Sequence, residues 1–126
     1  MPASLRLRLQ SGPHSVPLKR VYRVAGFALL AGEPDEYFAG WFRFYGKQTP
    51  VFDLNRVICE TPTPEDYGSR IIVVEAAPDS PVSYIGLLAP GVTDTTNAVD
   101  DKDVTPLDLD LYLQMLTNFI PAPPAQ

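Results

Sequence analysis

The stretch that decides the fold is residues 40–54, Gly40-Trp41-Phe42-Arg43-Phe44-Tyr45-Gly46-Lys47-Gln48-Thr49-Pro50-Val51-Phe52-Asp53-Leu54. Its first part is rich in aromatic side chains, which suit a β-strand. Gly46-Lys47-Gln48 has the composition of a turn, and Thr49 to Leu54 returns as a mainly apolar strand. Residues 40–54 therefore predict a β-hairpin. Pro50 cannot donate to a strand ladder, so we expect it at a strand start or a sheet edge.

An acidic residue, Asp53, ends this hairpin. A carboxylate at the end of an apolar strand is unusual unless it caps the next element, so Asp53 is predicted to be the N-cap of a helical turn over Leu54 to Cys59. A similar stretch, Thr105-Pro106-Leu107-Asp108-Leu109, occurs later in the chain. The region Leu107 to Phe119 fits a strand by its alternating leucines and a helix face equally well. Its length favours a helix from about Asp108.

Two more hairpins are predicted on either side. Leu5 to Gln10 alternates strictly between apolar and polar residues, a pattern typical of a half-buried strand, and Ser15 to Leu18 is its returning partner. Arg70 to Glu75 is a continuous β-branched run, which indicates a strand buried on both faces. Val82 to Leu88 follows after a Pro-Asp-Ser-Pro turn as the partner strand.

Composition places the chain among small globular domains. The 126 residues predict one domain over residues 1–120, followed by a proline-rich tail at 121–126. Fourteen prolines spread along the chain disfavour long helices and favour a mainly β protein. The net charge of 10 − 15 = −5 argues against nucleic-acid binding. The apolar run Ala25 to Gly32 is too short for membrane insertion, and no signal peptide is recognisable, so we expect a cytoplasmic protein.

The residue types needed for catalysis are sparse. The single histidine, His14, is predicted to lie in a solvent-exposed turn between the first two strands, and the single cysteine, Cys59, is predicted to be a small core residue. No glycine-rich phosphate loop is present. Asp100, Asp101 and Asp103 lack the glycine and distal glutamate of an EF-hand, so they are interpreted as a solvated loop. We therefore expect no catalytic residues, no metal, no cofactor and no enzyme activity.

The hairpin at 40–54 resembles the signature of the CheW-like coupling proteins of bacterial chemosensory systems, most specifically in Pro50-Val51-Phe52-Asp53-Leu54. The flanking segments 15–24, 69–75 and 85–94 resemble the family's other strands. The likeness covers roughly residues 5–116. In the family an arginine usually precedes the turn glycine, whereas here Tyr45 stands there and Arg43 lies two residues earlier.

The resemblance implies two small SH3-like β-barrel subdomains, at about residues 5–60 and 69–116, with the second one shortened and a short C-terminal helix. It implies a non-catalytic adaptor that couples the cytoplasmic tip of chemoreceptors to the regulatory domain of a CheA-type histidine kinase, recruited to membrane receptor arrays. The residues expected to contact partners are Trp41, Phe42, Arg43, Tyr45 and Gly46. Those expected to build the motif are Gly40, Pro50, Val51, Asp53, Leu54 and Gly86.

The shortened second half suggests an alternative function. The stretch between Asp94 and Leu107 has lost strand material, and an incomplete barrel leaves an edge that invites pairing with another chain. The alternative is therefore a degenerate CheW-like domain that acts as a self-associating scaffold and forms a homo-oligomer. A small-ligand binder or enzyme that reuses the fold ranks third, because no convergent polar site is visible in the sequence.

Overall fold

Two five-stranded sheets and two short helices make up the computed structural model, which describes residues 3–26, 30–63, 68–92, 96–97 and 104–121. The elements in chain order are β1 (Ala3–Leu9), β2 (Gly12–Pro17), a 3₁₀ turn (Leu18–Arg20), β3 (Val21–Gly26), β4 (Phe38–Phe44), β5 (Lys47–Asp53), α1 (Leu54–Cys59), β6 (Arg70–Glu75), β7 (Tyr84–Ala89), β8 (Gly91–Val92), β9 (Thr96–Asn97), β10 (Thr105–Pro106) and α2 (Leu109–Thr117). The chain is mainly β, as predicted. The acidic loop at 100–103 and the tail beyond Pro121 lie outside the described residues.

The two sheets are nested along the chain. The central sheet has the strand order β3-β6-β7-β5-β4 and takes its strands from the middle of the sequence. The terminal sheet has the order β10-β2-β1-β8, with β9 also paired to β1, so it joins the first strands to the last. The boundary predicted between residues 60 and 69 therefore does not coincide with the division between the sheets. The second half does contribute little strand to the terminal sheet, because β8, β9 and β10 have two residues each.

All three predicted hairpins are present. β1 pairs with β2, β4 with β5 and β6 with β7, each antiparallel. The first turn is tighter than expected, because only Gln10 and Ser11 separate the strands. His14 is therefore a β2 residue, buried to 8% exposure, and its Nδ1 lies 3.0 Å from the Gly12 carbonyl oxygen. The prediction of a solvent-exposed turn histidine was wrong, since the returning strand begins at Gly12 and not at Ser15, three residues earlier than predicted.

Pro50 occupies the middle of β5 without breaking the sheet. It lies opposite Trp41, whose amide and carbonyl both bond to Ala31 on the far side of β4, at 2.8 and 2.9 Å. Trp41 and Pro50 are thus a non-hydrogen-bonded pair, in which neither strand offers its polar groups to the other. Pairing of β5 with β7 begins only at Val51. The missing amide of Pro50 consequently falls where no ladder bond is required.

The apolar side chains form two cores on opposite faces of the central sheet. The larger core lies between the two sheets and takes in α1 and α2, and the smaller core covers the other face of the central sheet. β6 supplies both, with Ile72 and Val74 in the larger core and Ile71 and Val73 in the smaller. The prediction that β6 is buried on both faces is confirmed. The smaller core consists of Phe44, Val51, Ile71, Val73 and Leu88, flanked by partly buried residues.

The segment Asp53-Leu54-Asn55 joins the two sheets at the start of α1. The Asp53 carboxylate accepts three hydrogen bonds, from the Arg56 amide at 3.2 Å, the Thr63 amide at 2.7 Å and the Thr63 hydroxyl at 2.6 Å. Asn55 accepts from the Gln10 amide of the terminal sheet at 2.8 Å and donates to the Thr61 carbonyl at 3.0 Å. The predicted N-cap is confirmed, and Asp53 also fixes the chain that leaves α1.

Asp108 caps α2 in the same way but with fewer contacts. Its exposed carboxylate accepts one bond, from the Leu111 amide at 3.3 Å. The helix predicted from about Asp108 is confirmed, with Leu109, Leu113 and Leu116 facing the larger core.

We expect Asp53→Ala to lower the free energy of unfolding by about 3 kcal/mol, because it removes a cap and leaves buried Thr63 donors unpaired. Asp108→Ala is the matched control and should cost only about 1 kcal/mol, the value of an exposed cap. Urea unfolding followed by circular dichroism measures both. Equal losses in the two variants would show that the Thr63 bonds contribute nothing.

Gly86 lies on β7 against the side chains of the smaller core. A Cβ there would meet Ile71 Cγ2 at 2.9 Å, Val51 Cγ2 at 3.1 Å and Phe42 Cε1 at 3.4 Å. We expect Gly86→Ala to destabilise the fold by about 1–3 kcal/mol through overpacking. Gly26→Ala serves as the control, since its Cβ would meet nothing within 4 Å. A Gly86→Ala variant as stable as wild type in urea would show that the space between Ile71 and Val51 accommodates a methyl group.

Candidate protein-binding surface

The turn between β4 and β5 carries the most exposed large hydrophobic side chain of the described residues. Tyr45 and Gly46 form the two-residue loop, and both have positive φ, +50° and +76°. This is the signature of a type I′ turn, which matches the twist of a hairpin but normally uses Asn, Asp or Gly. Tyr45 is 74% exposed. A tyrosine in this conformation carries a backbone cost of about 1 kcal/mol that its ring does not recover by burial.

Three other aromatic rings continue from Tyr45 across the sheet. The Tyr45 ring centroid lies 4.5 Å from that of Phe44, Phe44 lies 5.0 Å from Tyr84 on β7, and Tyr84 lies 5.1 Å from Tyr22 on β3. The last two contacts are edge-to-face, a favourable aromatic geometry. Tyr22, at the far end of the row, is 56% exposed. The row therefore rests on the smaller core and presents a tyrosine to solvent at each end.

Basic side chains surround this row. Lys47 Nζ lies 5.9 Å above the Tyr84 ring and donates to the Ser83 hydroxyl at 3.1 Å. Arg23 and Arg43 line a cleft of about 380 Å³ between β3 and β4, together with Phe42, Phe44 and Tyr45. Neither arginine pairs with a carboxylate in the part of the chain that the structure describes. We define the basic-aromatic surface as Tyr22, Arg23, Arg43, Tyr45, Lys47 and Tyr84.

The cleft exists because β3 and β4 are the two edge strands of the central sheet. Beyond Gly26 the chain returns to β4 at Ala31, which bridges Trp41. Arg43 lies two residues after Trp41, so its amide and carbonyl point to the same side, away from β5 and toward β3. The edge of β4 is thus occupied by Ala31 at Trp41, and the backbone groups of Arg43 lie on this same edge.

The structure separates the predicted contact residues into two groups. Arg43, Tyr45 and Gly46 are exposed, and Phe42 is half-buried in the wall of the cleft. Trp41 is only 3% exposed and packs edge-to-face on Phe38 in the larger core. Its selection as a contact residue needs correction, because alternation along β4 directs Trp41 inward to the larger core while Phe42 and Phe44 face the smaller one.

The predicted motif residues are packed inside the fold and do not belong to the basic-aromatic surface. Gly40 has φ +150° and its Cβ would lie 2.5 Å from Leu30 Cβ, so no side chain fits there. Val51 and Leu54 are fully buried, and Pro50 and Gly86 lie in neighbouring positions of the sheet. Sequence reasoning missed Tyr22, Arg23, Lys47 and Tyr84. Tyr22, Arg23 and Tyr84 come from other strands, and Lys47 comes from the far side of the turn, so no pattern within β4 connects them to Tyr45.

Other kinds of site receive no support from the described residues. No group of three or more His, Cys, Asp or Glu side chains is placed to hold a metal ion there. Within the same part of the chain, no helix has the length and apolar character needed to cross a membrane.

Comparisons with known proteins identify the fold. No family model matches the chain, and no curated protein does. Among solved structures, the crystal structure of the scaffolding protein TtCheW from Thermoanaerobacter tengcongensis matches with a TM-score of 0.67 and 23% sequence identity. The match covers 82% of this chain and 65% of TtCheW, so the chain spans just under two thirds of that protein's length. The CheW-like, SH3-like barrel fold expected from residues 40–54 is confirmed.

We expect Tyr45→Asn to raise the free energy of unfolding by about 0.5 kcal/mol. Asparagine adopts the left-handed conformation readily, and this gain of about 1 kcal/mol exceeds the loss of the Phe44 ring contact. Tyr22→Asn is the comparison, because Tyr22 is an exposed tyrosine without a positive φ, so asparagine relieves no backbone strain there and the variant should lose stability. Urea unfolding decides: a Tyr45→Asn variant destabilised by more than about 1 kcal/mol would show that the Tyr45 ring stabilises the fold.

Proposed function

We propose that this chain is a non-catalytic adaptor of a bacterial chemotaxis-type signalling pathway. It acts in the cytoplasm, and it couples chemoreceptor tips to a CheA-type histidine kinase by protein–protein contacts. The observation that carries the proposal is an exposed tyrosine held in a strained turn, on a fold shared with a scaffolding protein. Backbone strain at an exposed position supports a binding role, because folding alone would favour glycine or asparagine there.

The composition of the basic-aromatic surface supports protein binding. Tyrosine and arginine are enriched at the energetic centres of protein interfaces. Tyrosine buries a large ring with few rotatable bonds, and arginine offers a rigid, planar group of hydrogen-bond donors. Phe44 and Tyr84 pack in the smaller core, and the exposed rings of Tyr45 and Tyr22 each contact one of them, which limits the side-chain entropy lost on binding. The net charge of −5 disfavours a nucleic acid as the partner.

The role of Tyr45 at the family's arginine position follows from its neighbours. Arg43 lies two residues earlier, on β4, and both residues are exposed at the same end of that strand. The positive charge is therefore kept within the surface while the turn itself offers an aromatic ring. We propose that Arg43, Tyr45, Gly46 and the wall residue Phe42 contact the kinase or the receptor.

Calorimetric titration tests the proposal. The full chain is titrated with the regulatory domain of the CheA-type kinase from the same genome, and separately with a receptor-tip fragment. We expect saturable binding in the micromolar range, about −8 kcal/mol, and a loss of at least about tenfold in affinity for Tyr45→Ala.

Leu111→Ala is the control for this titration. Leu111 is also an exposed apolar side chain, but it lies on α2 and not on the basic-aromatic surface. The variant should bind like wild type. A folded wild-type chain that binds neither the kinase domain nor the receptor tip contradicts the adaptor role.

A further inference from the structure

The opposite end of β4 carries an acidic cleft. Asp35 and Glu36 lie in the tight turn that leads into β4, which is closed by mutual backbone bonds between Asp35 and Phe38 at 2.9 and 2.7 Å, and Glu33 lies two residues before this turn. Together with Pro34, Phe38, Phe119 and Pro121 they line a cleft of about 360 Å³. We define the acidic cleft as Glu33, Asp35, Glu36, Phe38 and Phe119.

The acidic cleft combines charge with an apolar floor. All three carboxylates are exposed, and none pairs with a cation among the residues described. Phe119 is 37% exposed and is held by an edge-to-face contact with Tyr37, at 5.2 Å between centroids. Such a cleft suits an aromatic side chain flanked by cations.

The basic-aromatic surface has the complementary composition. The depressions along it contain one acidic residue, Glu75, and five of the ten Lys and Arg residues of the chain, namely Lys19, Arg20, Arg23, Arg43 and Lys47. Arg20 is paired with Asp110 at 2.9 Å, so Lys19, Arg23, Arg43 and Lys47 against Glu75 leave a local excess of positive charge in a chain with fifteen acidic residues. Its most exposed point is the ring of Tyr45.

The two surfaces lie on opposite ends of the same strand. β4 runs from Phe38, at the acidic cleft, to Phe44, next to Tyr45. Seven extended residues separate the ends by about 20 Å. One molecule therefore cannot join its own two surfaces through β4, but each end of one molecule matches the other end of the next.

We propose that the chain self-associates head to tail, with the basic-aromatic surface of one copy docked in the acidic cleft of another. Tyr45 enters the cleft beside Phe119, while Arg23 and Arg43 face Glu33, Asp35 and Glu36. Unlike contact surfaces of this kind produce rings when the rotation closes and open filaments when it does not. This inference does not depend on kinase or receptor binding, because both surfaces belong to this chain.

A charge-swap experiment on the full chain tests the interface by sedimentation. At about 20 mM salt the wild-type mass should rise with concentration, and at about 0.5 M salt it should fall toward the monomer, because the attraction is screened. Arg23→Glu with Arg43→Glu, and separately Glu33→Lys with Asp35→Lys, should each raise the apparent dissociation constant at least tenfold. An equal mixture of the two double variants should associate again, since one then carries two basic ends and the other two acidic ends.

The control for net charge is Arg8→Glu with Arg56→Glu. It changes the net charge by as much as the first double variant but lies outside both surfaces, so its self-association should remain within about twofold of wild type.

Circular dichroism shows which variants are folded, and the salt dependence of the wild type needs no variant. The interface is overturned by a wild type that stays monomeric at low salt, or by folded variants whose mixture fails to associate. A monomer that binds the kinase through Arg23 and Arg43 would assign the surface to the kinase instead.

Discussion

The carboxylate of Asp53 is the contact on which the arrangement of the two sheets depends. Asp53 ends β5, caps α1 and binds Thr63. One buried carboxylate therefore fixes the strand, the helix and the segment after the helix relative to one another. A charged group can remain buried only where donors surround it, and here two amides and a hydroxyl do so. Asn55, two residues on, then bonds the β1–β2 turn through Gln10. The polar junction thus sets where the terminal sheet meets the central sheet, and the larger core fills the space between them.

Local features of this fold could be predicted from sequence because their causes are local. The caps Asp53 and Asp108 follow from an acid placed just before a helical pattern, and the hairpins follow from short turns between apolar runs. His14 was misplaced because a Gly-Pro pair suggests a turn, whereas the first residues after a two-residue turn already pair as strand. Thr63 could not be linked to Asp53, since ten residues and a helix lie between them.

Of the basic-aromatic surface, the sequence pointed to Arg43 and Tyr45 but not to the residues of the other strands. Aromatic residues occupy both faces of β4, and the sequence alone does not say which face meets solvent. The structure covers both, with Trp41 in the larger core and Phe44 in the smaller, so exposure is confined to the turn and to Arg43. Tyr22 and Tyr84 join Tyr45 only through the pairing of β3, β6 and β7. Parallel pairs such as β5 with β7 and β10 with β2 leave no short-range signal.

The nested order of the sheets affects how the chain folds during its synthesis. Every strand of the central sheet lies between Val21 and Ala89, so that sheet is complete as soon as this segment has left the ribosome. The β1–β2 hairpin is made first but gains its partners β8 and β10 last. At about 5–20 residues per second, the apolar face of Leu5, Leu7 and Leu9 waits several seconds for its final neighbours. During that interval the β1–β2 hairpin is less protected than the central sheet, and a chaperone or a neighbouring nascent chain has access to it before α2 covers the core.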